Sequence, residues 1–318
     1  MASRTITAAA AGSRQLGDLT VNRIGFGAMR LTGSAAFDLG VPSDRERSLA
    51  VLRRAVDLGV NHIDTAAFYF SSLRSANELI GRALAPYPDD LVIATKVGPG
   101  RDPSGRWLPL ARPDQLRGQV EENLRQLGRD HLDLVNLRVM PSVPLAEHFG
   151  ALAELRTAGL IRHLGISNVT SAQLADARAV APVVCVQNLF GLDDRARSAD
   201  VLRECGELGI AFVPFYSIAG KARDTGGAKA GSSEQIAAVA RAHGVSAAQV
   251  RLAWTLQQGP HVLTIPGTGD PDHLVENVAA GALRLTDQDM ALLEAADPAQ
   301  PGTEGEEAAA GRQAPPQT

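Results

Sequence analysis

The fold is decided most clearly by the stretch LDLVNLRVMPSVPLAEHFGALAELRTAGLIRHLGISN, residues 132–168. It contains a β-rich run (132–139), an amphipathic helical segment (145–158) and a second β-rich run (161–168). Gly159 stands just after the helical segment, where the left-handed conformation that ends many helices favours glycine. A strand, a helix and a second strand in this order predict a parallel βαβ unit.

The same alternation recurs along the chain, with eight β-rich runs each followed by a helical segment. The other six runs are residues 21–29, 62–66, 91–97, 183–190, 211–218 and 262–266. Eight such repeats in one chain of 318 residues predict an α/β fold, a single parallel (β/α)₈ barrel of the TIM type. A doubly wound open sheet usually carries G-x-G-x-x-G after its first strand. In GFGAMR (25–30) an arginine replaces the third glycine, so that fingerprint is absent.

The ends of the chain differ in composition from its middle. We expect residues 1–18 to form a short N-terminal extension and residues 19–296 to form the barrel. Residues 297–318 are mostly Pro, Gly, Glu, Ala and Gln, which is typical of a disordered tail.

Composition excludes several classes of function. The chain has 31 Lys and Arg against 35 Asp and Glu, and this net charge of −4 argues against nucleic acid as a main partner. No stretch approaches the roughly 18–20 uninterrupted apolar residues of a membrane span, and the N-terminal apolar run is too short for a signal peptide. Cys185 and Cys205 form no C-x-x-C motif, so we expect a cytoplasmic protein. The scattered histidines lack metal-ligand spacing, and we predict no metal site and assign no oligomeric state.

Polar residues near the predicted strand ends are the candidates for chemistry, because barrel enzymes place their active sites there. Asp64, Lys96 and Arg138 fall at or near three strand ends, and Tyr69 follows in a loop. A nearby ammonium lowers the pKa of a phenol, so Lys96 could let Tyr69 donate a proton near neutral pH while Asp64 holds Lys96. The alternative is an ordinary Asp64–Lys96 ion pair, with Tyr69 packing between Phe68 and Phe70.

Five segments, taken together and in order, resemble the aldo-keto reductase superfamily. They are GVNHIDTAAFY (59–69), ATKVG (94–98), GISNV (165–169), CVQNLF (185–190) and IPGTGDPDHLVEN (265–277). The resemblance runs from about residue 21 to residue 293. It implies a (β/α)₈ barrel that binds NADPH across its carboxyl-terminal face and transfers hydride to a small-molecule carbonyl substrate.

The family pattern also implies a role for individual residues. Tyr69 would be the general acid, Lys96 would tune its pKa, and Asp64 would pair with Lys96. The cofactor would be bound by Gly27, Ala28, Met29, Asp64, Ser167, Asn168, Gln187, Tyr216, Gly267, Thr268, His273, Glu276 and Asn277. The family closes a loop over the cofactor pyrophosphate, and residues 220–232 would form either that loop or a plain connection.

Substrate contacts are expected from Arg30, Phe70, Trp107, Met140 and Phe190. The chain has only thirteen aromatic residues, and eight of them fall at predicted strand ends or in the loops beyond. We therefore predict a ring-lined pocket suited to a flat or apolar carbonyl compound.

Two positions depart from the family pattern. Arg138 stands where the family has a catalytic histidine, and a guanidinium cannot act as a proton shuttle. It could polarise the carbonyl oxygen, favour phenolate at Tyr69, anchor an anionic substrate group, or cap Asp64. Gly267 and His273 stand where many relatives carry Lys and Arg, which leaves the choice between NADPH and NADH open.

Arg138, in its context LDLVNLRVM, resembles a bacterial branch that includes pyridoxal reductases. We therefore interpret the chain as an NADPH-dependent carbonyl reductase with pyridoxal as its leading substrate. The alternatives are a ketone-reducing tailoring enzyme of secondary metabolism and a non-reducing, NADPH-binding regulatory protein. Intact Asp64, Tyr69 and Lys96 argue against the regulatory protein.

Overall fold

The computed structural model describes residues 6–35, 37, 39–140, 144–218 and 234–295. The predicted tail (297–318) and the predicted cofactor loop (220–232) lie outside these residues. Within them, no helix is long and apolar enough to cross a membrane.

A β-hairpin closes the bottom of the molecule. Strand β1 (Ser13–Leu16) pairs antiparallel with β2 (Leu19–Asn22). Leu16 and Val21 are fully buried and pack among aliphatic side chains of the barrel interior. The chain on both sides of residue 18 therefore belongs to one folded hairpin.

Seven parallel strands follow in sequence order and form one curved sheet. They are β3 (Phe26–Gly27), β4 (His62–Asp64), β5 (Val92–Val97), β6 (Leu132–Arg138), β7 (Ile161–Ser167), β8 (Cys185–Gln187) and β9 (Ala211–Phe212). Residues 262–264 take the eighth position through parallel bridges Phe212–Val262 and Ile24–Thr264. The sheet thereby closes on itself, and the predicted (β/α)₈ barrel is confirmed.

Helices surround the sheet. They are α1 (Arg45–Asp57), α2 (Ala76–Leu84), α3 (Leu116–Leu127), α4 (Leu145–Thr157), α5 (Ser171–Val180), α6 (Ala199–Leu208), α7 (Glu234–His243), α8 (Ala247–Gln257), α9 (Pro271–Ala279) and α10 (Asp287–Glu294). Thr170, Ser246 and Thr286 cap α5, α8 and α10 by accepting a hydrogen bond from the backbone N–H three residues on. Gly128 and Gly209 end α3 and α6 in the left-handed conformation.

Several strands are shorter than their apolar runs predict. The first run, 21–29, divides between the hairpin, β3 and a 3₁₀ turn at Ala28–Leu31. The run 211–218 contributes only Ala211–Phe212 to the sheet. Apolar residues beyond these strands are buried by loops and helices rather than by strand pairing, so hydrophobicity alone overestimates strand length.

Arg23 joins the first and last parts of the barrel. Its guanidinium donates to the carbonyl oxygens of Val262 (2.9 Å), Gly259 (2.6 Å) and Leu256. The backbone oxygen of Arg23 accepts from the N–H of Thr264 at 2.8 Å. One side chain thus satisfies several carbonyl groups at the place where the sheet closes.

We predict that Arg23→Leu lowers the free energy of unfolding by about 3 kcal/mol, because three partly buried carbonyl groups lose their donor. Arg117→Leu is the matched control, since Arg117 is exposed in α3 and pairs with the exposed Glu121. It should change stability by less than about 0.5 kcal/mol. Urea unfolding followed by circular dichroism measures both. Equal stabilities of the two variants would contradict the role of Arg23 in closure.

Candidate active site

A pocket opens at the carboxyl ends of the barrel strands. Ten of the residues predicted as catalytic, cofactor or substrate contacts line this pocket. They are Gly27, Met29, Arg30, Asp64, Tyr69, Lys96, Arg138, Ser167, Tyr216 and Gly267. The other lining residues are Phe37, Phe215, Ser217, Ile218, Ile265 and Pro266. Closing the sheet brings these side chains together, because parallel strands all end at the same rim.

A buried ion pair occupies the floor of the pocket. The Lys96 ammonium donates to one carboxylate oxygen of Asp64 and to the backbone oxygen of Thr65 at 3.2 Å. Gln187 Nε2 donates to the other Asp64 oxygen at 2.6 Å. Both ionised side chains are about 95% buried. Burial by itself lowers the pKa of Lys96, but Asp64 and Tyr69 outweigh it, so the pKa is raised and Lys96 stays charged.

Tyr69 lies beside this pair. Its side chain is 6% exposed, and the Lys96 ammonium lies 5.1 Å from the centre of its ring. Hydrogen bonding to Tyr69 is among the interactions that raise the pKa of Lys96. This arrangement places a phenol, a group able to donate a proton, beside a charged ammonium.

Tyr216 is the second tyrosine of the pocket and differs from Tyr69 in its environment. Burial raises its pKa to about 12, despite the opposing charges of Arg138 and Arg30. Tyr216 is therefore a weaker acid than an ordinary tyrosine, and it offers the pocket a ring face. Asn168 (φ 67°) and Tyr216 (φ 63°) are the non-glycine residues with positive φ in the described part of the chain. Such backbone strain concentrates at functional sites, and both residues are predicted cofactor contacts.

Arg138 ends β6 and is half-buried in the pocket wall. Both oxygens of Asp64 are already engaged by Lys96 and Gln187, and Arg138 does not cap this carboxylate. Within residues 6–35, 37, 39–140, 144–218 and 234–295, no hydrogen bond or ion pair is recorded for its guanidinium. Its positive charge therefore faces the pocket.

Gly27 and Gly267 both line the pocket, and their backbones lie in close contact. A Cβ on Gly267 would lie 2.4 Å from the Gly27 oxygen, and a Cβ on Gly27 would lie 2.6 Å from the Ile265 oxygen. Glycine is required at both positions by this close approach of the first and last barrel segments. Ala28 follows in the 3₁₀ turn and is fully buried.

The residues predicted to meet the adenosine end lie at and beyond the start of α9. Thr268 Oγ1 accepts from the N–H of Asp270 at 3.0 Å, and Asp270 caps α9. His273 and Glu276 are exposed on that helix, whereas Asn277 is 6% exposed. Arg47 of α1 forms an ion pair of 2.5 Å with Asp270. Sequence reasoning missed Arg47, because 223 residues separate it from its partner.

Four predicted substrate residues do not line the pocket. Phe190 is 3% exposed and stacks on Trp254 at 5.6 Å between ring centres, so the expectation of a substrate contact there is corrected. The Phe190 ring points into the core between the sheet and the helices and not towards the pocket. Phe70 packs under the Arg101 guanidinium, and Met140 is half-buried just after β6.

Trp107 forms part of the rim rather than the wall. It is 46% exposed, and its ring lies 5.5 Å from Phe37, which in turn lies 6.3 Å from Tyr69. Phe37 and Phe215 line the pocket itself, so the rings gather at the mouth as the sequence predicts. Among the described residues, no group of three or more His, Cys, Asp or Glu side chains is placed to hold a metal ion.

Comparison with known proteins agrees with this geometry. The aldo/keto reductase family model matches residues 23–298. Pyridoxine 4-dehydrogenase of Escherichia coli (strain K12) is 43% identical over 286 residues, covering 88% of this chain and 96% of the relative. The thermostable aldo-keto reductase Tm1743, solved with the inhibitor epalrestat, superposes with a TM-score of 0.74 at 29% identity, covering 89% and 98% of the two chains.

A third relative was crystallised with a nucleotide. The aldo/keto reductase from Klebsiella pneumoniae, in complex with NADP and acetate, has a TM-score of 0.71 and 27% identity. The match covers 88% of this chain and 92% of that one.

We predict that Lys96→Met lowers the free energy of unfolding by about 3–5 kcal/mol, because it leaves the Asp64 carboxylate buried without its cation. Adding Asp64→Asn should recover at least half of this loss, since the charge is then removed. Chemical denaturation of both variants measures this. An Asp64→Asn substitution that adds further loss to Lys96→Met would contradict the pairing.

Proposed function

The chain belongs to the aldo/keto reductase family, and from this premise we propose that it reduces pyridoxal to pyridoxine with hydride from NADPH. Family membership makes it an oxidoreductase of carbonyl and alcohol groups. The observation that carries the proposal is the contact between Tyr69 and the Lys96–Asp64 pair at the pocket floor. This arrangement supplies a proton at the place where a carbonyl compound can enter.

The residues of the pocket fit a dinucleotide. Ser167 lies opposite Gln187 in the sheet, and the buried Gln187 Oε1 has no hydrogen-bond partner among the described residues. A hydroxyl and an amide oxygen are suitable partners for a carboxamide, and the flat face of Tyr216 suits an aromatic ring. When bound, NADPH supplies the hydride. Ser167, Asn168 and Gln187 would hold its carboxamide, and Tyr216 would stack on its nicotinamide.

The other end of the dinucleotide would lie along the start of α9. Thr268, Asn277 and the exposed Glu276 would contact the adenosine, with Gly267 and His273 nearby. Those two positions carry neither Lys nor Arg, and Arg47 brings a cation to the start of α9 through its ion pair with Asp270. Preference for NADPH over NADH is part of the proposal, and the relative crystallised with NADP supports it.

In the proposed reaction, the chain's own task is to move one proton. Tyr69 Oη would donate its proton to the carbonyl oxygen as the carbonyl carbon receives the hydride, which gives the alcohol. The Lys96 ammonium would stabilise the phenolate that remains, and solvent would then return the proton. Asp64, itself held by Gln187, keeps Lys96 in place.

Arg138 takes the place of the family histidine as a fixed positive charge. Its guanidinium faces the pocket, where negative charge develops on the carbonyl oxygen during reduction. An oriented donor at that position stabilises the transition state more than the ground state. We therefore assign Arg138 the role of polarising the carbonyl.

Pyridoxal is the proposed substrate for two reasons. The relative from Escherichia coli is named for oxidation of pyridoxine at its 4-position, which is the reverse of this reduction. The ring-lined mouth formed with Phe37, Phe215 and Trp107 suits a flat aromatic aldehyde. The barrel of residues 19–296 would carry the whole activity. The two cysteines are free and buried, which is consistent with a reducing cytoplasm.

We expect the purified protein to consume NADPH when pyridoxal is added, followed at the nicotinamide absorbance. Tyr69→Phe should lower kcat about 10²–10⁴-fold, because the proton donor is lost, while NADPH affinity changes less than about threefold. Turnover of ketones but not pyridoxal would favour a ketone-reducing tailoring enzyme. Tight NADPH binding without turnover of any carbonyl would favour a regulatory protein, and full activity of Tyr69→Phe would exclude Tyr69 as the acid.

We predict that Arg138→Met lowers kcat about 10²–10³-fold and weakens NADPH binding less than about threefold, because the charge acts on the carbonyl oxygen. Arg138→Lys should recover part of the activity as a point charge. Steady-state kinetics and NADPH titration by fluorescence measure the two effects. A larger loss in NADPH affinity than in kcat would instead assign Arg138 to the cofactor.

A further inference from the structure

Arg101 is a buried cation outside the set of residues named so far as catalytic. It follows β5 in the loop that carries Trp107, and only 8% of it is exposed. The two residues form an antiparallel bridge across the loop. Gly105, between them, has φ 86°, and a Cβ there would lie 2.8 Å from Arg101 Nη2. The loop is therefore shaped around the guanidinium.

The contacts of Arg101 fall on both sides of Tyr69. Its Nη1 donates to the backbone oxygens of Phe68 (3.2 Å) and Phe70 (3.1 Å). Its Nε donates to the oxygen of Gly105 at 2.9 Å, within its own loop. The guanidinium also stacks over the Phe70 ring at 4.4 Å. One planar, charged group thus links the loop after β5 to the loop after β4.

The backbone around Tyr69 depends on this link. The N–H of Tyr69 donates to Ala66 at 3.0 Å, and its oxygen accepts from Ala76 at 2.9 Å, so its own groups are satisfied within the β4–α2 segment. The backbone oxygens of the flanking residues Phe68 and Phe70 instead accept hydrogen bonds from Arg101, which belongs to the neighbouring β/α unit. Arg101 therefore restrains the peptide group between Phe68 and Tyr69, and also the one that follows Phe70, so the backbone is held on both sides of Tyr69.

We propose that Arg101 is a positioning residue for proton transfer, holding the Tyr69 hydroxyl against Lys96 and towards the pocket. The inference rests on the proposed function for its catalytic consequence, but the restraint on the Tyr69 loop exists without substrate or cofactor. A misplacement of about 1 Å at a reacting group costs up to about 100-fold in rate. Lysine cannot replace this arginine, because an ammonium lacks the planar fork and does not stack in the same way.

The test compares Arg101→Met, Arg101→Lys and Arg101→Ala with a matched control, Arg106→Met. Arg106 lies in the same loop, is largely exposed and pairs with Asp102 at 3.0 Å. Three quantities are measured for each variant. They are kcat with pyridoxal at saturating NADPH, the Kd of NADPH, and amide hydrogen exchange of the peptide covering residues 66–76 in the protein without cofactor.

We expect Arg101→Met and Arg101→Lys to lower kcat about 10–100-fold while the Kd of NADPH stays within about threefold. Amide hydrogen exchange should accelerate in residues 66–76 and remain unchanged in the strands of the barrel. Millimolar guanidinium chloride should restore part of the kcat of Arg101→Ala, whereas sodium chloride should not. Arg106→Met should match the unsubstituted protein throughout.

The proposal is overturned if Arg101→Met keeps the kcat of Arg106→Met, or if exchange in residues 66–76 is unchanged. It is also overturned if exchange accelerates equally across the barrel, which would mean a general structural role. Should Arg101→Met fail to fold, Arg101→Lys carries the same comparison. If the unsubstituted protein reduces no carbonyl compound, the proposed function fails, and the exchange measurement still decides whether Arg101 restrains the Tyr69 loop.

Discussion

Burial of the Lys96 ammonium at the mouth of an aliphatic barrel is the constraint on which the rest of the site depends. A charge so removed from water needs a counter-charge and a full set of hydrogen bonds. Asp64 supplies the counter-charge, and the amide of Gln187 satisfies the second oxygen of Asp64. Lys96 and Asp64 come from the neighbouring strands β5 and β4, whereas Gln187 comes from β8, so its hydrogen bond to Asp64 forms only when the sheet has curved into a barrel. Closure of the fold therefore completes the hydrogen bonding of the buried ion pair.

The pocket is formed by the strand ends together with the loops that follow them. The strands carry the ionised groups at fixed positions, whereas Tyr69 stands on a loop whose backbone needs support from outside its own segment. Arg101 provides that support through the carbonyl groups flanking Tyr69, and the rings of Phe37 and Trp107 pack around it. The pocket thus combines a rigid charged floor with an aromatic rim. This division is common in barrels, where a stable sheet presents chemistry on variable loops.

The elements of the fold were largely predictable because local periodicity and capping residues report them directly. Thr170 and Ser246 cap α5 and α8, and Thr and Ser are residue types that commonly begin helices. Strand lengths were overestimated, since the apolar run 183–190 yields only Cys185–Gln187 in the sheet. Phe190 belongs to the same run, and its ring packs on Trp254 in the core rather than in the pocket. An apolar pattern indicates that a side chain is buried, but it does not say against which neighbour.

The sequence by itself determined the fold class and the family, and it selected Asp64, Tyr69 and Lys96 as candidates for chemistry. It could do so because short motifs and repeated βα units are local patterns. Only the tertiary structure decided which partners these residues have. Gln187 reaches Asp64 across 123 residues, and Arg101 reaches the backbone oxygens of Phe68 and Phe70 from the next βα unit. Such contacts depend on how the strands align when the barrel closes. That alignment is set by packing of the whole chain, so no local pattern can contain it.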